Sequence, residues 1–170
     1  IICCLDESGS TAGECAAWGK AVALTLLEIA ESEERKFALI HFSGPGRFQT
    51  DLFLPKRTTV EDKLCAAETF LDGGTDFCTP MNEALRLMKE EGFDNADIVF
   101  ITDGECLLPE EYISNLQKEQ SARRFTITGI LLDQGNAGMD FSLKPFCQNI
   151  YRTSELTGEA IVRELVNGQA

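Results

Sequence analysis

The first ten residues, IICCLDESGS, place Asp6, Ser8 and Ser10 at alternate positions directly after an apolar run. A surface turn needs a glycine and one Asp or Ser. Three oxygen-bearing side chains in that phase suit a hard cation instead. The same chemistry recurs twice: Thr102-Asp103-Gly104-Glu105 follows the apolar ADIVFI, and Gly73-Gly74-Thr75-Asp76 precedes a helical stretch. Oxygen donors with almost no nitrogen or sulfur select Mg²⁺, Mn²⁺ or Ca²⁺ over zinc or copper. Mg²⁺ takes about six ligands and gives up water reluctantly, so a few protein ligands suffice. Hydroxyls are neutral donors. A cation held mainly by them keeps charge for an anionic ligand brought by another molecule. A capped turn would also explain Asp6, Ser8 and Ser10, but it gives Thr75 and Asp103 no reason to join them.

The elements that must position these residues can be read from periodicity. IICCL is continuously apolar, as in a parallel strand buried on both faces, and GECAAWGKAVALTLLEIAE has helical spacing. KFALIHF and RFQTDLFL, joined by SGPG, read as an antiparallel hairpin. TTVEDKLCAAETFL is a helix with Thr58 or Thr59 as cap, and a third helix is expected to start at Thr79 with Pro80 in its first position. ADIVFIT and FTITGILL are strands flanking a helix opened by Pro109, QNIYRT is a weaker strand, and Leu156 to Val166 reads as a closing helix. The alternation predicts a doubly wound α/β domain with a mostly parallel six-stranded sheet, one antiparallel edge strand and helices on both faces. In such sheets ligands bind beyond the carboxyl ends of the strands where strand order reverses. That point lies between the first and fourth strands, where the three oxygen-rich loops meet.

Composition narrows the function. The net charge of −13 argues against nucleic acid and anionic membrane surfaces as partners. Seven cysteines, an odd number without a C-x-x-C pair, and a lone histidine at position 41 do not make a zinc site. Their placement in apolar runs suggests free thiols in a reducing, cytoplasmic compartment. The longest apolar stretch is too short to span a bilayer. The chain opens without Met and already inside a strand, so residues 1–170 are expected to be one domain excised from a longer protein.

DESGS, GGTD and TDGE together resemble the von Willebrand factor A (VWA) family and its metal-ion-dependent adhesion site, MIDAS. The resemblance spans essentially the whole chain. It implies a metal-dependent protein–protein interaction module, not an enzyme, with Asp6, Ser8, Ser10, Thr75 and Asp103 as the metal set. Ser8 and Ser10 would bind directly, Asp6 and Asp103 through water, and Thr75 in either mode according to conformation. A partner's Glu or Asp would fill the sixth position. GGTDF with FITDGE is similar to the intracellular bacterial type that accompanies MoxR-class AAA+ ATPases, which makes such an ATPase or its client the implied partner.

Other residues have plainer readings. Glu7, Asp76 and Glu105 are expected at the rim of the site, His41 as a satisfied strand-end histidine, and Trp18 as a helix anchor. Cys78 and Cys106 flank the crevice, where packing is favoured over a redox role. The competing enzyme is a metal-assisted phosphohydrolase of the haloacid dehalogenase type, with Asp6 as nucleophile. That chemistry needs an acid two residues on, and Ser8 stands there.

Overall fold

Strand β1 (Ile2–Asp6) runs through the middle of the sheet, between β2 (Phe37–Phe42) and β4 (Ile98–Thr102), and is parallel to both. The computed structural model describes residues 1–94, 96–104, 106–133, 139–155, 160 and 163. Beyond β2 lies β3 (Phe48–Phe53), antiparallel to it; beyond β4 lie β5 (Ile127–Leu131) and β6 (Asn149–Arg152), both parallel. The strand order β3-β2-β1-β4-β5-β6 reverses between β1 and β4, as the crossover argument requires.

Every residue of β1, β2 and β4 is buried. Because side chains alternate across a strand, each apolar run feeds two cores. Ile2, Cys4, Ile40, Ile98 and Phe100 pack under α3 (Cys78–Glu90) and α4 (Glu110–Arg123). Cys3, Leu5, Leu39, Val99 and Ile101 pack under α1 (Glu14–Ser32), through Val22, Leu26 and Leu27. The short α2 (Val60–Glu68) begins with a capping box: Thr59 accepts from Asp62 N–H, and Asp62 accepts from Thr59 N–H.

On the α3 face an aromatic cluster ties β2, β4 and the start of α3 together. Phe77 sits edge-on to Phe100, with ring centroids 4.9 Å apart, and edge-on to Phe42 at 6.2 Å. Phe77 is fully buried and directly follows the GGTD loop, so that loop is rooted in the core.

The start of α3 differs from the sequence expectation. The helix begins at Cys78, and Asp76 rather than Thr79 caps it, accepting from Thr79 N at 2.9 Å and Thr79 Oγ1 at 2.5 Å. A carboxylate at a helix N-terminus satisfies open N–H groups and faces the positive end of the dipole. The expected closing helix, Leu156 to Val166, lies outside the described residues. Among the described residues no helix is long and apolar enough to cross a membrane.

Candidate functional site

Asp6 is the last residue of β1, and its side chain is buried with both oxygens engaged. Oδ1 accepts from Ser8 N at 3.0 Å and Oδ2 accepts from Thr102 Oγ1 at 2.5 Å. The first bond curls the chain into the turn that carries Ser8 and Ser10. The second links β1 to the end of β4. Thr102 Oγ1 in turn accepts from Gly104 N at 3.1 Å, which sets the backbone just past Asp103. Thr11 closes the first loop from behind by donating to Ser8 O at 2.8 Å.

The loop's hydroxyls converge. Ser8 Oγ and Ser10 Oγ are 3.1 Å apart, Ser8 buried and Ser10 exposed. Two ligands sharing an edge of an octahedron with bonds near 2.1 Å stand about 3.0 Å apart. The pair is therefore spaced to take one small cation between them.

The second loop is stitched to the first. Gly9 N donates to Gly73 O at 2.9 Å. A Cβ on Gly9 would fall 2.9 Å from Asp72 Oδ1 and 3.4 Å from Gly73 O, so the two loops are closely apposed there. Two residues beyond Gly73, Thr75 is half-buried, and Asp76 N donates to Ser43 O at 2.8 Å.

Asp103 follows β4 and is nearly buried. Burial pushes the Asp6 carboxyl up to about 6; hydrogen bonds from Ser8 and Thr102 oppose the rise, and the Asp103 charge adds to it. A buried carboxyl with a second acid beside it makes a natural seat for a positive charge. No group of three or more His, Cys, Asp and Glu side chains fit to hold a metal occurs among the described residues. The candidate donors are instead three hydroxyls with two acids, a chemistry that suits a weakly held hard cation rather than a carboxylate cage.

The structure thus joins Asp6, Ser8 and Ser10 by direct bonds, brings Asp103 within electrostatic reach of Asp6, and docks the Thr75 loop on Gly9. Thr102 is the residue that sequence reasoning passed over; its signal was a hydroxyl at the end of a buried strand beside an acid. Glu7, expected at the rim, is fully buried on the α1 face and bonded to His41. Glu105 lies outside the described residues. Cys78 and Cys106 are half-buried, and burial raises both thiol pKa values, the neighbouring Asp76 charge adding to each. Ser8 stands where a phosphohydrolase needs its second acid, so that reading gains nothing from the geometry.

Residues 1–105, which carry all three loops, match the family model of the von Willebrand factor type A domain. The chain belongs to that family. VWA domains are generally protein-interaction modules rather than enzymes, and they often bind divalent metals. Two relatives come from Methanocaldococcus jannaschii. Protein MJ0811 is 40% identical over 119 residues, covering 69% of this chain and 27% of its own length. Protein MJ0077 is 31% identical over 167 residues, covering 98% of this chain and 41% of its own length. The VWA chain therefore spans well under half of each relative. Among solved structures, BatB from Bacteroides thetaiotaomicron superposes with a TM-score of 0.66 at 19% identity, over 98% of this chain and 96% of that one, a likeness of fold.

Proposed function

We propose that this VWA domain binds one Mg²⁺ at Asp6, Ser8, Ser10, Thr75 and Asp103, and through it a carboxylate of a partner protein. The observation that carries the reading is the Ser8–Ser10 pair, set 3.1 Å apart on a turn held by a buried aspartate whose own oxygens are already bonded. Ser8, Ser10 and Thr75 hold the cation with neutral oxygens. Asp6 and Asp103 hold it through water, lending charge without spending it. Mn²⁺ or Ca²⁺ could occupy the same donors. When bound, the metal supplies a positive charge with a coordination position open to a partner's Glu or Asp.

The net charge of −13 repels an acidic partner at long range, so recognition is local and metal-bridged. The partner class that fits the motif resemblance is a MoxR-type AAA+ ATPase or a client of one, with the VWA domain as adaptor in the cytoplasm. The test is a pull-down with a purified MoxR-type AAA+ ATPase in Mg²⁺ and in EDTA, using wild type and Ser10→Ala. Binding is expected only for wild type with Mg²⁺. Binding indifferent to both chelation and substitution would leave the cluster as a feature of stability alone.

A further inference from the structure

Arg47 stands at the tip of the β2–β3 hairpin, against the second loop of the candidate site. Its Nη2 donates to Leu71 O at 2.6 Å. A Cβ on Gly73, whose φ is +98°, would lie 2.9 Å from its Nη1, so the guanidinium rests directly on that glycine. Gly73 O accepts from Gly9 N, one residue from Ser8 and one from Ser10. The hairpin tip is itself pinned: Ser43 O accepts from Asp76 N at 2.8 Å, and Gly46 N donates to Thr79 Oγ1 at 2.9 Å.

The partner of this guanidinium is a backbone carbonyl rather than a carboxylate. Acids outnumber bases 28 to 15, and Arg86, Arg123 and Arg152 each pair with carboxylates. Among the described residues Arg47 forms no ion pair, and its charge is exposed. Guanidinium carries five N–H donors in a fixed fork, matched to carboxylate. One is spent on Leu71 O; the head is held in place with the rest to offer.

We propose that Arg47 is a second anchor for the partner, and that the domain takes an extended acidic segment with two carboxylates, one directed at the Ser8–Ser10 centre and one at Arg47. This rests on the metal reading above for its first carboxylate. Gly73 links the two anchors, its carbonyl bonded to Gly9 N on one side and the Arg47 guanidinium resting on it from the other. Side chains two residues apart on an extended strand are separated by about 7 Å and share a face, which suits an acid-x-acid spacing.

The experiment titrates two blocked peptides, one containing Glu-Gly-Glu and one Glu-Gly-Gln, into Mg²⁺-saturated protein and follows binding by NMR chemical shifts. Wild type is expected to prefer the diacid by about three- to tenfold. Arg47→Ala should erase that preference and Arg47→Lys restore part of it. Equal affinity of wild type for the two peptides, or binding of neither at millimolar concentration, overturns the proposal. So does an Arg47→Ala loss that falls alike on both peptides, or on Mg²⁺ affinity, since Arg47 would then be a prop of its loop. Repetition in EDTA separates the two readings: an Arg47-dependent preference that survives chelation supports the anchor and sinks the metal reading alone.

Discussion

Glu7 and His41 face each other across β1 and β2, with Glu7 Oε1 2.9 Å from His41 Nδ1 and both side chains fully buried. The pair lies directly behind the turn that carries Ser8 and Ser10. Lys20 of α1 is 3.8 Å from Glu7 Oε2, and Asp51 of β3 lies 3.3 Å from His41 Nε2, close enough for attraction but not aligned for a hydrogen bond. Two acids and two bases from four elements thus meet behind the loop. They balance only when His41 is protonated. Burial works against that proton, but the Asp51 and Glu7 carboxylates outweigh it and hold the His41 pKa above its ordinary 6.5.

A raised folded-state pKa has a definite sign in the pH dependence of stability. The contribution of His41 is fully present below the unfolded value of 6.5 and is lost as pH rises through the folded pKa. Urea midpoints measured from pH 5.5 to 8.5 should therefore fall for wild type relative to His41→Gln. At the acid end the variant should be less stable by about 3–5 kcal/mol, because Glu7 is left buried without its partner. A constant gap between the two proteins across the range would mean that His41 does not titrate within it.

Much of this arrangement was legible in the sequence, and the reasons are specific. Asp6, Ser8 and Ser10 stand out because a buried strand ends abruptly in oxygen donors, and the switch point between β1 and β4 follows from helix alternation and crossover handedness. The burial of Glu7 was not legible. An acid beside a glycine-containing loop reads as a rim group, and only the sheet shows that Glu7 continues the face of Cys3 and Leu5 toward His41. Arg47 was hidden for a related reason: its meaning lies in contact with Leu71 and Gly73, more than twenty residues away, which no local pattern encodes.

Phe77 couples the core to the site. Replacing this fully buried ring with alanine should cost about 3–5 kcal/mol from lost burial and the cavity left behind. Phe146, equally enclosed in the same cluster, is the control. Both variants should lose comparable stability. Only Phe77→Ala should also weaken Mg²⁺ binding in calorimetry, because Phe77 roots the loop that carries Thr75. Equal Mg²⁺ affinity in the two variants would show that the loop holds its shape without that root.

The cysteines beside the site should be slow to react. Thiolate is the nucleophile, and burial raises the Cys78 and Cys106 pKa values. Cys65 is exposed on α2. Iodoacetamide labelling at pH 8, followed by peptide mass spectrometry, should mark Cys65 first. Faster labelling of Cys78 or Cys106 would point to a reactive thiol at the crevice and against simple packing.

The metal should stabilise the fold without building it. The strands are buried by apolar packing on both faces, with the proposed cation-binding oxygens confined to the loops at one end. Melting in excess EDTA should therefore remain cooperative. A ligand that binds only the native state adds about 2.7 kcal/mol at a hundred times its Kd. In a domain of this size, that corresponds to a rise of about 5–10 °C in Tm. Ser8→Ala should lose most of that rise while its EDTA-state Tm falls only slightly, since its hydroxyl meets Ser10 Oγ and the Asp6 carboxylate, and Asp6 keeps the Ser8 N and Thr102 Oγ1 donors without it. Asp6→Ala should lose the rise as well, and its EDTA-state Tm should drop too, because Ser8 N and Thr102 Oγ1 would lose their acceptor. That difference between the two variants separates a ligand from the residue that shapes the loop. An equal Mg²⁺ effect in wild type and Ser8→Ala would remove Ser8 from the metal's coordination, and an EDTA-treated protein that melts without cooperativity would show that the cation is part of the core.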